Sequence, residues 1–292
     1  MMFEKFIFGT DLSPATSAVA RCVGSLKQLG AKNCLLVHCV STQQGAAMAF
    51  SYKPPEAFTA ELQMQEQILA DLGFAVESRT EFGSPKVRLT DIATHEGFSL
   101  IVIGTQGRSL LAEFVLGGVA YGVITRARTP VLLLPVKSVP GDEHECESIG
   151  WCDFNKHVLI ATDFSDTSDR AFSVVEEMIP TGVTQITLIH IQDQDAFADI
   201  SDSKREDYSR LDRDRLEQLR TRLQSHGCEK ASIELPLGHP KDGIVHFANG
   251  ADVSMIVMGT QGRGFLGQLT VGSVAGNTVR QAKCPVLLIP PR

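Results

Sequence analysis

The sequence has no long apolar run. Its continuous apolar stretches, such as Val131 to Leu134, are far shorter than the roughly 20 residues of a membrane-spanning helix. The N-terminus also lacks the apolar core of a secretory signal, because Glu4, Lys5 and Asp11 interrupt it. We therefore expect a cytoplasmic protein that does not enter a membrane.

Positive charge is scarce as well. The 27 Lys and Arg residues face 34 Asp and Glu residues, which gives a formal net charge of −7 at pH 7. Proteins that bind nucleic acids or anionic membranes through general electrostatics carry a basic surplus instead. With 43% hydrophobic and 21% charged residues, the chain otherwise has the composition of an ordinary globular protein. No nucleic-acid or membrane partner is expected.

Several signatures of catalysis and metal binding are also missing. The chain has no G-x-x-x-x-G-K-[ST], H-E-x-x-H, G-x-S-x-G or C-x-x-C motif. Its seven cysteines are scattered and lie mostly in apolar runs, a pattern typical of reduced thiols. A cluster of metal-ligating residue types, formed by His144, Cys146, Cys152 and His157, matches no recognised zinc-site spacing. We therefore predict no catalytic residue and no metal ligand.

The sequence does contain a duplication. The pentapeptide GTQGR occurs at Gly104 to Arg108 and again at Gly259 to Arg263. In both copies it follows an apolar run and precedes a second glycine turn and then PVLLLP or PVLLIP. Because the match covers whole domains, we predict two tandem domains, 1–138 and 154–292. Residues 139–153 contain a cluster of acids and are expected to form an exposed linker.

Each half alternates strands with helices in the order β-α-β-α-β-α-β-α-β. Ser13 and Pro14 form a helix-start pair, and Gly30 is a helix-stop signal. Leu100 to Ile103 and Val131 to Leu134 are apolar runs typical of strands buried on both faces of a parallel sheet. The pattern predicts an α/β fold of two doubly wound domains, which bind ligands beyond the carboxyl ends of the strands. Helices are predicted over 14–29, 56–72, 87–96 and 203–226.

Two glycine turns in each half indicate a binding function. In the second half, Gly259 to Arg263 ends a strand, and Gly272 and Ser273 follow nine residues after Gly262, just before a helix. We expect these glycines to adopt a positive φ and to let the backbone approach an anion closely. A helix N-terminus adds unpaired N–H groups and a partial positive charge. A pair of such turns, present twice in the chain, favours a phosphate-binding cradle in each half.

The combined pattern resembles that of the universal stress protein family. Its elements are G-x-x-G, nine residues and G-S/T, with T-D-x-S after the first strand and a His in the second. Both halves follow it, so the chain resembles the tandem-domain members. The resemblance implies domains with five parallel strands, of the Rossmann-like, adenine nucleotide alpha hydrolase-like type. It also implies a nucleotide site, with adenine near the ends of the first two strands and phosphates on the glycine turns.

The resemblance assigns site residues by position. In the second half these are Ala161, Asp163 and Ile191 for adenosine, and Gly259, Gly262, Arg263, Gly264, Gly272, Ser273 and Val274 for ribose and phosphates. Their counterparts in the first half are Gly9, Asp11 and Cys39, with Gly104, Gly107, Arg108, Ser109, Gly117, Gly118 and Val119. Gly118 stands where the pattern asks for Ser or Thr. We therefore expect ATP, with or without Mg²⁺, to bind the second half more tightly than the first.

Some of these residues also have purely structural interpretations. Asp11 and Asp163 could cap the helices that follow them. His38 and His190 lie inside apolar strands and are expected to be packed core residues rather than catalytic ones. The longer helix over 203–226 is highly charged and is expected to present a solvated face. The two motif arginines could equally be solvated loop residues.

The resemblance favours a stress-response regulator that binds an adenine nucleotide and acts through conformation or a protein partner. Two alternatives stay open. One is a slow ATP hydrolase, in which Asp163 would help to hold a metal and water would be the nucleophile. The other is an interaction scaffold without a nucleotide. The apolar last strands, at 130–135 and 285–290, are expected at sheet edges, where they would pair within one chain and leave room for a homodimer.

Overall fold

A computed structural model of the chain describes residues 3–40, 56–105, 116–139, 142–148, 153–198, 200–263 and 270–291. The chain divides into two compact units, residues 1–152 and 153–291. Each unit combines a parallel sheet with helices that alternate with its strands. This architecture confirms the predicted α/β fold. No helix among the described residues is long and apolar enough to cross a membrane.

The described part of the first unit has a five-stranded parallel sheet. Its strands are β1 (Lys5–Thr10), β2 (Asn33–Val40), β3 (Ala75–Phe82), β4 (Leu100–Gly104) and β5 (Val131–Leu134). They lie in the order β3-β2-β1-β4-β5, and all neighbours are parallel. Its helices are α1 (Pro14–Cys22), α2 (Glu56–Asp71), α3 (Pro85–His95) and α4 (Gly118–Arg126).

The expected linker is partly regular structure. Strand β6 (Val136–Val139) pairs antiparallel with β7 (Asp142–Ser148), so this segment forms a hairpin rather than an extended connection. Glutamate alternates with other residues between Glu143 and Glu147, and this period of two is a strand signal that the acidic composition conceals. The hairpin packs against α1, the helix that ends at Cys22.

The prediction that all cysteines are reduced is wrong. Cys22 is disulfide-bonded. Four other cysteines are free thiols, and all but Cys39 are buried: Cys34, Cys39, Cys228 and Cys284. Burial raises the pKa of these thiols, for example to about 12 at Cys284. Spacing along the chain could not reveal this bond, because pairing is decided by which cysteines the fold brings together.

The second unit repeats the same sheet order. Its strands are β8 (Val158–Ala161), β9 (Gln185–Ile189), β10 (Gln192–Asp193), β11 (Lys230–Glu234), β12 (Leu237–Gly238), β13 (Met255–Gly259) and β14 (Val286–Ile289). Five of them, among the residues described, form a parallel sheet in the order β11-β9-β8-β13-β14, and β10 pairs separately with β12. The helices are α5 (Asp166–Met178), α6 (Gln194–Phe197), α7 (Asp202–Ser225), α8 (Pro240–Gly250) and α9 (Ser273–Gln281).

Local signals explain most of these boundaries. Ser13 caps α1 by accepting a hydrogen bond from the Thr16 N–H, and Ser165 caps α5 in the same way. Helix α1 is shorter than predicted, because it tightens into a 3₁₀ turn at Val23–Lys27. The chain then turns at Gly30, whose φ of 90° favours glycine.

His157 joins three segments of the second unit. Its Nδ1 lies 3.1 Å from the Ala251 carbonyl, and its Nε2 lies 2.8 Å from Thr187 Oγ1 in β9. Its own N–H donates to Ser254 Oγ at 2.9 Å. Burial lowers the pKa of His157 more than the hydrogen bond to Ala251 raises it. The ring is thus a packed structural group with both nitrogens engaged, not a metal ligand.

This shift predicts a loss of stability in acid. The unfolded chain takes up a proton near pH 6.5, whereas the folded His157 resists protonation. The contribution of His157 to the free energy of unfolding is therefore fully present above about pH 6.5. It is lost as the pH falls toward the lower pKa of the folded chain. Urea midpoints measured between pH 7.5 and 5.5 should fall for the native chain and fall less for His157→Gln. The exposed His246 supplies the control, since His246→Gln should leave the slope unchanged. Equal slopes for all three proteins would contradict this account.

Candidate functional site

A cavity of about 810 Å³ opens in the second unit at the carboxyl ends of β8 and β13. Ala161 ends β8 and Gly259 ends β13, and both residues line the cavity. The two strands are neighbours at the point where the strand order reverses, which is where doubly wound sheets bind ligands. The cavity therefore lies where the predicted topology places a site.

The structure brings together nine of the ten residues predicted for the second half. The cavity is lined by Ala161, Asp163, Ile191, Gly259, Gly262, Arg263, Gly272, Ser273 and Val274. The tenth, Gly264, lies outside the described residues. These nine residues come from separate segments between Ala161 and Val274, so only the fold makes them neighbours.

Asp163 connects the turn after β8 to the glycine turn after β13. Its Oδ1 accepts hydrogen bonds from the Ser165 N–H at 3.1 Å and from Ser165 Oγ at 2.6 Å. Its Oδ2 accepts the Arg263 N–H at 2.9 Å. Burial by itself raises the pKa of the Asp163 carboxyl, but these hydrogen bonds outweigh it and hold the pKa below the usual value. The carboxylate is therefore ionised at neutral pH, and Ser165, not Asp163, caps the helix.

Close approach explains the two glycines of the cradle. A Cβ on residue 262 would lie 2.4 Å from Asp163 Oδ2, and one on residue 272 would lie 3.2 Å from the Thr260 carbonyl oxygen. The Gly272 N–H donates to that carbonyl at 2.8 Å, so the two turns touch. Gly272 then precedes α9 as its N-cap, and a glycine cap supplies no side chain to the first N–H groups of that helix.

The expectation of positive φ at these glycines is wrong. Gly272 has a φ of −57°, and Gly262 is not among the positive-φ residues. The left-handed conformation appears instead in the T-D-x-S turns, at Leu12 with a φ of 60° and at Phe164 with a φ of 58°. Sequence alone misses this, because neither residue type favours that conformation.

Helix α7 contributes a buried acid that its charged sequence conceals. Asp212 is only 9% exposed, and its Oδ2 accepts the Gln192 side-chain amide at 3.0 Å. Leu216, one turn further on, is fully buried. The prediction that this helix only presents a solvated face is therefore wrong for this side, where Asp212 and Arg215 line the cavity. In the sequence, the helical spacing of Asp212, Leu216 and Leu223 is the signal that could have predicted this buried face.

The prediction of a packed core histidine is wrong for His190, which follows the end of β9, is partly exposed and lines the cavity. Its Nδ1 lies 2.7 Å from the Thr162 carbonyl, and its Nε2 lies 3.7 Å from Asp212 Oδ2. Burial lowers the pKa of His190 more than the Thr162 hydrogen bond and the Asp212 charge raise it. The ring is therefore neutral near pH 7, with Nδ1–H donating to Thr162. In the first unit, His38 Nδ1 lies 3.2 Å from the Thr10 carbonyl in the same arrangement.

The first unit shares the frame of this site but not all of its side chains. Asp11 Oδ1 accepts the Ser13 N–H at 3.1 Å, and the Gly117 N–H donates to the Thr105 carbonyl at 2.9 Å. Gly118 begins α4, and a Cβ there would meet nothing within 4 Å.

The remaining positions assigned to the first half have varied surroundings. Gly104 ends β4, Val119 is exposed in α4, and Cys39 is partly exposed in β2. Burial first, and the nearby Glu81 second, raise the pKa of Cys39 to about 11. Gly9 has a packing role, because a Cβ there would lie 2.9 Å from the Ile103 side chain. Gly107, Arg108 and Ser109 lie outside the described residues.

One group of side chains near the cavity has the composition of a metal site. Ligand atoms of Asp193, Asp195 and His239 lie within 4.8 Å of one another, and all three residues are exposed. Asp193 already accepts the Asp195 N–H as the cap of α6. Exposed acidic groups are common without an ion, so this arrangement alone does not define a metal site. Of the predicted cluster near residue 150, Cys152 lies outside the described residues, as do the side chains of His144 and Cys146.

Comparison with known proteins identifies the family to which the pattern belongs. The model of the universal stress protein family matches residues 2–135 and 155–290. A universal stress protein of Methanocaldococcus jannaschii is 26% identical over 159 residues, which are 47% of this chain and 98% of that protein. A universal stress protein of Mycobacterium tuberculosis strain H37Rv is 24% identical over 234 residues, covering 77% of this chain and 72% of that protein.

A solved structure shows a similar fold over almost the whole chain. The crystal structure of a universal stress protein from Archaeoglobus fulgidus DSM 4304 matches with a TM-score of 0.72 at 19% identity. The match covers 98% of this chain and 96% of that one. At this identity the likeness establishes the fold, while the chemistry must be argued from the residues of the cavity.

The contact between Gly262 and Asp163 makes a testable prediction. In Gly262→Ala, the added Cβ should push the carboxylate away from the Arg263 N–H. The pKa of Asp163 should then rise toward the usual value of about 3.9. Carboxyl carbon shifts followed by NMR against pH would measure it. Gly250→Ala is the matched control, because a Cβ there meets nothing within 4 Å. An Asp163 pKa that stays low in Gly262→Ala would contradict the proposed contact.

Proposed function

The chain belongs to the universal stress protein family, and we propose that it binds ATP in the cavity of its second domain. Binding would act as a regulatory signal, read out through conformation or through a protein partner. The supporting observation is the convergence of Asp163, two touching glycine turns and the N-terminus of α9 on one cavity. A regulator of this kind needs a ligand site but no catalytic group.

The cavity offers each part of a nucleotide a suitable surface. Asp163 is an ionised acceptor for the hydroxyl or amino donors of a nucleoside. Because glycine has no side chain, a phosphate can approach the backbone of the glycine turns closely. The free N–H groups at the start of α9 and the Ser273 hydroxyl are donors for phosphate oxygens. Apolar residues such as Ile191 and Val274 complete the walls.

Calorimetric titration with ATP tests the proposal directly. We expect saturable binding, together with a higher unfolding temperature in the presence of ATP, since a ligand of the folded state stabilises it. Gly262→Ala should weaken binding about tenfold or more, because the added methyl group displaces Asp163 and the turn. Gly250→Ala should bind like the native chain. Phosphate release measured in the same samples separates a regulator from a slow hydrolase, and lack of binding would favour a scaffold.

The two domains should bind ATP unequally. Ser273 has a hydroxyl that can donate to a phosphate oxygen, whereas Gly118 has none. Hydrogen bonds to charged groups contribute roughly 1.5–3 kcal/mol, which corresponds to about one to two orders of magnitude in affinity. We expect one tight site for each chain, which Ser273→Ala weakens. Gly118→Ser should strengthen the weaker site, because its side chain has free space. Two equal sites in the native chain would contradict this asymmetry.

A further inference from the structure

Two arginines meet at one aromatic ring beside the cavity. Arg215 Cζ and Arg263 Cζ each lie 5.3 Å from the centre of the Phe164 ring. The two arginines come from different elements, since Arg215 belongs to α7 and Arg263 to the glycine turn after β13. Both line the cavity. At this distance a guanidinium is attracted to the face of an aromatic ring.

The cavity lining carries both signs of charge, because Asp163, Asp193 and Asp212 line it together with the two arginines. Arg215 Nη1 lies 3.6 Å from Asp212 Oδ1. Across the ranges that the structure describes, no carboxylate oxygen lies within 4.0 Å of the Arg263 guanidinium. An anionic ligand that reaches both guanidinium groups in the cavity would be attracted by both charges. Arg263 in particular favours an anion, because no described carboxylate forms an ion pair with it.

The residue that provides the ring, Phe164, has a left-handed backbone conformation. Its φ of 58° is rare for a bulky residue, and its ring also contacts the His190 ring at a centroid distance of 4.7 Å. The equivalent residue of the first unit is Leu12, which has the same conformation with a φ of 60° but no ring. The backbone turn is thus common to both units, whereas the aromatic platform belongs to the second.

We propose that Phe164 positions Arg215 and Arg263 as a clamp for the polyphosphate chain of a nucleoside triphosphate. The clamp makes the second domain selective for ATP over AMP and adenosine, which carry fewer charges or none. Guanidinium groups suit this role, because their planar N–H donors can bind phosphate oxygens in pairs. The proposal rests on the proposed function, since it assigns a specificity to the same cavity.

The test compares ATP, AMP and adenosine by calorimetry in matched variants. Phe164→Leu introduces leucine, which the first unit has at the equivalent position 12 in the same backbone conformation. Phe164→Tyr keeps an aromatic ring. Phe164→Leu should weaken ATP binding about tenfold and adenosine binding less than about twofold. Phe164→Tyr should keep the selectivity of the native chain. Arg215→Gln should lower the ratio of ATP to adenosine affinity by about tenfold.

A double variant tests whether the ring and the arginine act together. Combining Phe164→Leu with Arg215→Gln should weaken ATP binding by less than the product of the two single effects, because both remove the same interaction. If Phe164→Leu fails to fold, the partly exposed Arg215 still allows the test through Arg215→Gln alone.

Three results would overturn the clamp. Equal losses of ATP and adenosine affinity in Phe164→Leu would make the ring a packing residue only. An unchanged selectivity in Arg215→Gln would remove that arginine from the site. A native chain that binds adenosine as tightly as ATP would refute the clamp but leave the proposed nucleotide site intact. A native chain that binds none of the three ligands would refute the proposed function, and the clamp with it.

Discussion

The cavity of the second unit depends on one hydrogen bond, from the Arg263 N–H to Asp163 Oδ2. It joins the turn after β8 to the turn after β13, at the point where the strand order of the sheet reverses. The bond forms because residue 262 has no Cβ, since that atom would lie 2.4 Å from the same carboxylate oxygen. The Gly272 N–H then ties α9 to the same turn through the Thr260 carbonyl. The two turns can therefore approach each other closely because Gly262 and Gly272 have no side chains.

The two units share their backbone geometry but differ in the side chains at equivalent positions. Both units have the same strand order and the same hydrogen bond between their glycine turns. Leu12 and Phe164 share a left-handed backbone conformation that is costly for either residue. Gly118 and Ser273, in contrast, differ in their ability to donate to an anion. Backbone geometry is thus what the two units have in common, and charge chemistry is where they diverge.

Sequence reasoning succeeded where the deciding forces are local. Strands and helix ends were identified from buried runs such as Val131–Leu134, from the helix start at Ser13 and from the stop signal at Gly30. Edge strands such as β3 were harder to place, because their exposed residues leave only a weak apolar alternation. Gly262 lines the cavity, but it does not have the positive φ expected of it. The close approach of the Asp163 carboxylate, from a distant part of the sequence, explains the glycine and exists only in the folded chain.

Helix α7 also has a buried face that its charged sequence conceals. The helix lies between the cavity and the protein surface. Asp212 is a charged residue in a charged helix, and only its hydrogen bond from Gln192 shows that it is buried. Ser209 also donates to Gln192, so a small polar network fixes one face of the helix against β10. Arg215 shares Asp212 with that network and approaches Phe164 on the cavity side. An anion in the cavity would compete with Asp212 for Arg215, so its charge would act on a helix whose other face meets solvent.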